Sequence, residues 1–351
     1  MPVFQTIEKN SEFRREGAIP STMLAGTANG TEGKEYRRRK VWSSSKIFVS
    51  LPNKQSPHEV VNMAILIDRG TRALVQGITG KIGSFQTQLM IEYGTNVVAG
   101  VTPGRGGQSM SGVPIFDSVY EAVKETDPEV SICFVPGPYA ADAAMEAIDA
   151  GLRLVVVVAE AVPLSDAVGM LALASERKAV VLGPDTAGLI SPGRSKLGVQ
   201  PHRLFVEGHV GIISRSGALS YETAKTLTEN GIGQSTVIAL GGGPVWGFTY
   251  RDGLQLFRDD KDTDALVLLG EIGGDMEEDA AEYISKGYPK PVVALIVGRT
   301  APPGQKMGHA GAIIQQGKGS AQDKILALRH AGALIANNPR EIATIIQKEL
   351  R

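Results

Sequence analysis

From residue 63 onward, short runs of apolar and often β-branched residues alternate with amphipathic stretches of helical length. Runs such as Val97–Val101 and Leu154–Val158 are apolar throughout, which is typical of strands buried on both faces of a sheet. Strands of this kind separated by helices indicate an α/β fold with doubly wound parallel sheets. The predicted strands are Thr71–Gln76, Val97–Val101, Glu129–Val135, Leu154–Val158, Ala179–Leu182, His209–Ser214, Ser235–Leu240, Ala265–Gly270 and Pro291–Val297.

Length and one loop divide the chain into domains. A chain of 351 residues suggests about two domains. A stretch rich in Gly, Pro and Ser separates the two sets of predicted strands, so we place the domains at residues 63–200 and 201–351. Residues 1–62 are a polar N-terminal extension that contains the basic run Arg37–Lys40 and one candidate strand, Lys46–Leu51.

Composition excludes several classes of function. The net charge of -1 favours neither nucleic acid nor an anionic membrane surface as a partner. The single cysteine, Cys133, lies in an apolar run, which excludes an internal disulfide framework and a cysteine metal site. No apolar run is long enough to cross a membrane, and the first residues lack a signal-peptide pattern. We therefore expect a cytoplasmic protein.

Four predicted strands of the first domain end in turns that suit a ligand. The turn Gly77–Gly83 spaces its glycines as G-x-x-G-x-x-G before a helix, where free backbone amides can hold a phosphate. This is not the dinucleotide spacing, and a plain tight turn explains it equally well. Arg105 lies among glycines after the second of these strands, and Pro136 and Glu160 follow the other two.

The second domain contributes three further motifs. Ser214–Tyr221 places several serines at the start of a predicted helix, which favours an anion site over simple N-capping. Glu271 follows an apolar strand, and His309 lies in the loop Gly304–Ala312, which is rich in Gly and Ala. A carboxylate can orient an imidazole, and an imidazole is a nucleophile near neutral pH. An exposed loop acid and an ordinary Gly-rich loop remain the simpler alternatives.

Taken together, these motifs resemble the α-subunit family of succinate–CoA ligase (succinyl-CoA synthetase) in order and spacing. The resemblance runs from about Met63 to the C-terminus. It implies a Rossmann-like CoA-binding domain followed by a flavodoxin-like ligase domain. The segments that carry it are Gly77–Gly83, Ser214–Gly217, Gly231–Thr236, Gly270–Gly274, Met307–Ile314 and Gly317–Gly319.

The resemblance also implies a reaction. A nucleoside triphosphate would phosphorylate His309, which Glu271 would orient, while Ser216 and Gly217 would cradle the phosphoryl group. The phosphoryl group would then pass to a carboxylic acid, and the CoA thiol would attack the acyl phosphate. A histidine nucleophile divides one difficult step into easier ones.

The resemblance implies binding residues and partners as well. ATP or GTP with Mg would be bound by an ATP-grasp β-subunit in a hetero-oligomer. The small carboxylic acid would lie near Gly242, Gly243 and Tyr221. The expected coenzyme A contacts are Thr79, Gly80, Lys81, Ile82, Arg105, Pro136 and Glu160.

Two loops depart from the family pattern, and the second of them lies near the acid in the family. Residues 183–188 read Gly-Pro-Asp-Thr-Ala-Gly in place of Gly-Pro-Asn-Cys-Pro-Gly, and residues 241–244 read Gly-Gly-Gly-Pro in place of Gly-Gly-Asp-Pro. A missing carboxylate at Gly243 favours citrate, as in citryl-CoA synthetase, whereas the bulk of Trp246 and Phe248 favours a small acid. We expect succinate or a close relative, with citrate as the main alternative.

Three rival classes of function are weaker. An NAD-linked oxidoreductase lacks the fingerprint spacing and leaves His309 and Glu271 unexplained. A metal site lacks paired ligands, because no other His or Cys lies within about five residues of His309. A non-catalytic CoA-binding regulator predicts a protein without a labile phosphate, which an experiment can decide.

Overall fold

The computed structural model of the chain describes residues 65–315 and 317–350. The predicted N-terminal extension, its candidate strand Lys46–Leu51 and the first two residues of the predicted first domain lie outside this range. Within it the chain forms two seven-stranded sheets, each covered by helices.

The first sheet follows the Rossmann order. Its strands are β1 (Ala73–Gln76), β2 (Val97–Val101), β3 (Ser109–Met110), β4 (Val113–Phe116), β5 (Val130–Cys133), β6 (Leu154–Val157) and β7 (Val180–Leu182). They are arranged as β3-β4-β2-β1-β5-β6-β7. Without the short β3, which pairs antiparallel with β4, this is the doubly wound order 3-2-1-4-5-6. Its helices are α1 (Lys81–Tyr93), α2 (Val119–Thr126), α3 (Gly137–Asp149) and α4 (Leu164–Arg177).

The second sheet follows the flavodoxin order. Its strands are β8 (Gly188–Ser191), β9 (Ser195–Gly198), β10 (Glu207–Ser214), β11 (Gln234–Ala239), β12 (Ala265–Glu271), β13 (Val292–Val297) and β14 (Leu334–Ile335). They are arranged as β14-β13-β12-β10-β11-β8-β9, whose parallel part has the order 2-1-3-4-5. Its helices are α5 (Gly217–Glu229), α6 (Tyr250–Arg258), α7 (Met276–Ile284), α8 (Ala321–His330) and α9 (Pro339–Glu349).

The strands of both sheets are rich in buried apolar residues, and these pack against the helices on either face. In β1, Leu74 faces a cluster formed with α2, α3 and α4, whereas Ala73 and Val75 face the other side of the sheet. This alternation follows from the two-residue period of a strand. The predicted α/β class, with a Rossmann-like domain followed by a flavodoxin-like domain, is therefore confirmed.

The predicted domain boundary near residue 200 needs correction. β8 and β9 lie before residue 200, but they pair antiparallel with each other, and β8 pairs with β11 of the second sheet. The chain therefore changes sheet between Leu182 and Gly188. The Gly- and Pro-rich composition of this stretch is typical of a loop, and it concealed two short strands.

In both sheets the parallel strands bring their carboxyl ends to one edge. In the second sheet the chain leaves β10 for β11 on one side and then continues through β12 on the other. A crevice for a ligand opens at such a switch point. Arg215 directly follows β10 and Glu271 is the last residue of β12, so the topology brings these two motifs together.

Candidate active site

His309 and Glu271 form the centre of the site. Nδ1 of His309 lies 2.8 and 2.9 Å from the two carboxylate oxygens of Glu271. The side chain of His309 is 33% exposed, and that of Glu271 is 9% exposed. The contact with Glu271 raises the pKa of His309, although burial opposes the shift. Glu271 therefore fixes the ring through Nδ1 and leaves Nε2 as the nitrogen available for chemistry.

A buried arginine, Arg215, contacts Glu271 from the protein interior. Nη2 of Arg215 lies 3.1 Å from Oε1 of Glu271, and Nη1 donates to the backbone oxygen of Gly273 at 2.8 Å. Nη1 also lies 3.2 Å from Glu277, which is paired in turn with Lys324. Burial alone would lower the pKa of the Arg215 guanidinium, but Glu277 and Glu271 reverse the shift and raise it. Arg215 therefore stays charged and holds the Glu271 carboxylate in place.

Trp246 covers this arginine. The guanidinium carbon of Arg215 lies 4.9 Å from the centre of the indole ring, a cation–π contact. Nε1 of Trp246 donates to the backbone oxygen of Gly241 at 2.8 Å. A Cβ on Gly311 would lie 2.9 Å from the same ring. The indole thus packs between Arg215 and the loop that carries His309.

The predicted acid-binding loop contacts His309 through its backbone. A Cβ on Gly242 would lie 2.5 Å from Cγ and Cδ2 of His309, so a side chain at this position would displace the imidazole. The carbonyl of Gly242 accepts a hydrogen bond from the N–H of Gly311 at 3.0 Å. Gly243 lies on the same loop, and its carbonyl faces Gly311. Phe248 is fully buried in the core, so the expectation that it adds bulk to the acid site is wrong.

The predicted phosphate cradle opens helix α5. Ser216 is its N-cap, and its hydroxyl accepts a hydrogen bond from the N–H of Leu219 at 3.3 Å. Gly217 begins the helix, where unpaired amides and the helix dipole favour an anion. Tyr221 lies one turn further on and contacts Gly217 and Phe205.

Asp185 joins the site from the first domain, and our sequence reasoning gave it no role. It follows β7, so it lies at the carboxyl edge of the first sheet, yet its Oδ2 would lie 2.7 Å from a Cβ on Gly242. Burial raises the pKa of Asp185, His309 opposes the shift, and Glu160 and Glu271 add to it. The only signal in the sequence was the unusual Gly-Pro-Asp-Thr-Ala-Gly loop. Asp185 therefore lies where the carboxyl edge of the first sheet meets that of the second.

The expected coenzyme A contacts lie along the carboxyl edge of the first sheet. Gly80 is the N-cap of α1, and Lys81 and the 62%-exposed Ile82 form its first turn. The hydroxyl of Thr79 donates to that of Thr102 at 3.2 Å, which ties the first turn to the second. A Cβ on Gly83 would lie 2.1 Å from the carbonyl oxygen of Gly77, so this turn requires glycine at position 83.

The remaining predicted contacts continue this edge. Arg105 is exposed in the turn after β2, and Pro136 is the N-cap of α3. A Cβ on Gly137 would lie 2.3 Å from the carbonyl oxygen of Glu160, so the turns after β5 and β6 touch. The four turns form one continuous surface of exposed backbone and side chains.

Two structural findings concern other kinds of function. No helix within residues 65–315 and 317–350 is long and apolar enough to cross a membrane. The same residues contain no group of three or more His, Cys, Asp or Glu side chains that could hold a metal ion.

Two known protein families match the chain and indicate its class. Residues 68–161 match the family described as CoA binding domain, and residues 213–334 match the family described as CoA-ligase. One match lies on each sheet: the first includes the exposed turns, and the second includes His309. The chain therefore combines a CoA-binding domain with a CoA-ligase domain, which is the composition of a CoA ligase.

Full-length relatives define the family more closely. The chain is 51% identical over 291 residues to the α-subunit of ADP-forming succinate–CoA ligase from Aquifex aeolicus, covering 82% of this chain and 95% of the relative. The subunit of the same description from Methanothermobacter thermautotrophicus is 53% identical over 289 residues, covering 82% and 98%. The chain belongs to the succinate–CoA ligase α-subunit family.

A solved structure shares the fold. ATP citrate lyase from Methanothrix soehngenii, in complex with citrate and coenzyme A, superposes with a TM-score of 0.73 at 25% identity. The match covers 81% of this chain and 51% of that chain. This chain therefore corresponds to about half of the lyase.

Proposed function

We propose that this chain is the α-subunit of an ADP-forming succinate–CoA ligase that acts through phosphorylated His309. The observation that carries the proposal is the Glu271–His309 pair, with Nδ1 held at 2.8 Å and Nε2 left free. Identity of about half over nearly the whole length of two such α-subunits supports the same activity.

Glu271 and Arg215 prepare His309 for phosphoryl transfer. The hydrogen bond to Glu271 fixes the tautomer of the neutral ring, so its free electron pair lies on Nε2. When Nε2 attacks the phosphorus of the nucleotide, the ring becomes cationic, and the buried Glu271 carboxylate stabilises that charge. Arg215 holds the Glu271 carboxylate in place. The residues act as one chain of contacts from the protein interior to the reacting nitrogen.

The phosphoryl group and coenzyme A would bind at the carboxyl edges of different sheets. Ser216, Gly217 and the first turn of α5 would hold the phosphoryl oxygens. The turns of the first sheet, with Thr79, Lys81 and Arg105, would hold the phosphate groups of coenzyme A. The acid takes the phosphoryl group from Nε2, and the thiol then displaces phosphate from the acyl carbon. ATP with Mg and part of the acid site would come from a β-subunit of the ATP-grasp type.

Phosphorylation of His309 tests the proposal directly. The chain is purified with its partner and incubated with ATP labelled in the γ-phosphate. We expect an acid-labile label on His309 that succinate and CoA together remove. His309→Asn abolishes the label because the reacting nitrogen is gone. His330→Asn is the matched control, since His330 is an exposed histidine at the end of α8, and it keeps the label.

Two results would contradict the proposal. A label that persists in His309→Asn would place the phosphoryl group elsewhere. Absence of label in the unmodified complex would favour the alternative of a non-catalytic CoA-binding regulator.

A further inference from the structure

Asp185 presents its carboxylate to the reactive side of His309. A Cβ on Gly242 would lie 2.5 Å from Cδ2 of His309 and 2.7 Å from Oδ2 of Asp185, so both groups border the same point. Cδ2 is bonded to Nε2, the nitrogen that Glu271 leaves free. Any acid that takes a phosphoryl group from Nε2 must therefore approach the charge of Asp185.

The backbone fixes the place of Asp185 beside Gly242. The N–H of Asp185 donates to the carbonyl of Ala159 at 2.9 Å, and its own carbonyl accepts from the N–H of Gly242 at 3.2 Å. The residue has a φ of 61°, a left-handed conformation that Asp and Asn adopt more readily than other side chains. Asp185 is also half-buried. The short side chain therefore keeps its charge within this part of the site.

The charges around Asp185 are mainly negative. Glu160 faces it from the turn after β6, and Glu271 faces it from the end of β12. His309 is the cationic partner when protonated, but it carries the phosphoryl group during the reaction. Arg215 lies beneath Glu271 and is already paired with Glu271 and Glu277. In this partly desolvated space a further carboxylate is repelled more strongly than in water.

We propose that Asp185 is a specificity-determining residue that selects a dicarboxylate over a tricarboxylate acid. The inference rests on the proposed function and names the residue that sets its substrate class. One carboxylate of the acid must reach the phosphorus on Nε2, and a tricarboxylate brings two further charges toward Asp185. The contact between Asp185 and Gly242 also changes the interpretation of the loop at residues 241–244. The family's carboxylate is missing at Gly243, but Asp185 in the neighbouring loop supplies a carboxylate.

The test compares succinate and citrate as substrates of the complete complex. For Asp185→Asn, which keeps the left-handed backbone, we expect the ratio of kcat/KM for citrate to that for succinate to rise at least tenfold. Asp185→Glu retains the charge and should leave the ratio close to that of the unmodified complex. Asp166→Asn removes an exposed charge from the first turn of α4 and is the matched control, with an unchanged ratio.

A second variant moves the charge rather than deleting it. The φ of Gly243 is not left-handed, and a Cβ there would lie 3.1 Å from the carbonyl oxygen of Val245, so a small shift of this loop admits a side chain. Adding Gly243→Asp to Asp185→Asn should restore at least half of the lost discrimination on a logarithmic scale. A ratio that this addition leaves unchanged contradicts the proposal.

The outcomes separate this proposal from the proposed function. An unchanged ratio in Asp185→Asn or an equal rise in Asp166→Asn overturns the role of Asp185. In each of these cases His309 of the unmodified complex still becomes labelled by ATP. Loss of that labelling would instead overturn the proposed function itself.

Discussion

At the scale of single residues, Arg215 shows how a buried charge is accommodated. Its side chain is fully buried, and Nη1 makes hydrogen bonds to Glu271, Gly273 and Glu277. Nε and Nη2 have no hydrogen-bond partner with good geometry within the described residues. The face of Trp246 covers them, and a desolvated cation–π contact is worth about 2 kcal/mol. Trp246 is therefore a positioning residue that acts on His309 through Arg215 and Glu271.

Replacement of Trp246 tests this role. Trp246→Leu loses the cation–π contact, so we expect the rate of His309 phosphorylation to fall about tenfold, in line with a loss of about 1.4 kcal/mol. The pKa of His309, followed by NMR, should move down toward its ordinary value as Glu271 loses its fixed position. Trp246→Phe keeps a ring over Arg215 and should recover most of the rate. A slower Trp246→Leu enzyme with an unshifted pKa of His309 would show that the residue only supports folding.

Sequence reasoning proposed a chemistry for the site, but it did not find all of the residues that contact each other there. Motifs around His309 and Glu271 indicated a nucleophile and its orienting acid, because each motif lies within a few consecutive residues. Asp185 and Trp246 contact the same centre from other loops. Their roles depend on distances between segments far apart in the chain, which no local pattern contains.

At the scale of elements, β9 carries a buried lysine whose pKa is lowered by burial. Lys196 is fully buried, and its Nζ donates to the carbonyl of Gln200 at 3.1 Å. No carboxylate lies within salt-bridge distance of it among residues 65–315 and 317–350. Burial lowers the pKa of Lys196 from 10.5 to about 8. The folded protein therefore binds this proton more weakly than the unfolded chain does.

The stability of the protein should depend on this lysine in a defined pH window. A pKa shift from 10.5 to about 8 corresponds to about 3 kcal/mol of destabilisation, fully present below pH 8 and relieved as the pH rises toward 10.5. Lys196→Met removes the penalty but also one hydrogen bond. We expect the free energy of unfolding in urea to rise by about 1–2 kcal/mol at pH 7. The gain should shrink by pH 9.5.

A second buried lysine is the control. Lys324 is equally buried but is paired with Glu277 and Glu278. Lys324→Met leaves these carboxylates without their partner, so it should destabilise the protein by about 3–5 kcal/mol. If Lys196→Met destabilises the protein at pH 7 as Lys324→Met does, the lowered pKa of Lys196 is not the dominant effect.

The elements that sequence reasoning found share one property. Each predicted strand is a run of buried apolar residues, and its ends agree with the structure to within about two residues. The strands that it missed are β3, β4, β8, β9 and β14, each of four residues or fewer. Their pairing is decided by neighbours in the sheet, since their own sequences do not favour a strand.

At the scale of the whole molecule, the proposed reaction is divided between the two sheets. The carboxyl edge of the first sheet presents the turns with Thr79 and Arg105, and that of the second presents His309. The family matches fall on the same division, with CoA binding at 68–161 and ligase at 213–334. Steps that involve CoA should therefore be separable by mutation from steps that involve only the nucleotide.

Arg105→Ala tests this separation. Loss of a hydrogen bond from a charged group costs about 1.5–3 kcal/mol, so we expect the KM for CoA to rise roughly 10- to 150-fold. Labelling of His309 by ATP should stay within twofold of the unmodified complex. Arg72→Ala is the matched control, because Arg72 precedes β1 at the opposite edge and pairs with Asp127. Equal losses in CoA use and in His309 labelling would contradict the division.

The early change of sheet limits how this polypeptide can be divided into fragments. A cut after residue 200 would separate β8 and β9 from the sheet to which they belong and leave β11 as an unprotected edge. The unpaired amides and carbonyls of an apolar edge strand promote self-association. A cut between Leu182 and Gly188 keeps every strand with its own sheet, but it severs the loop that holds Asp185 against Gly242. The segment that joins the two halves is thus also a wall of the reaction centre, so neither fragment alone would possess a complete one.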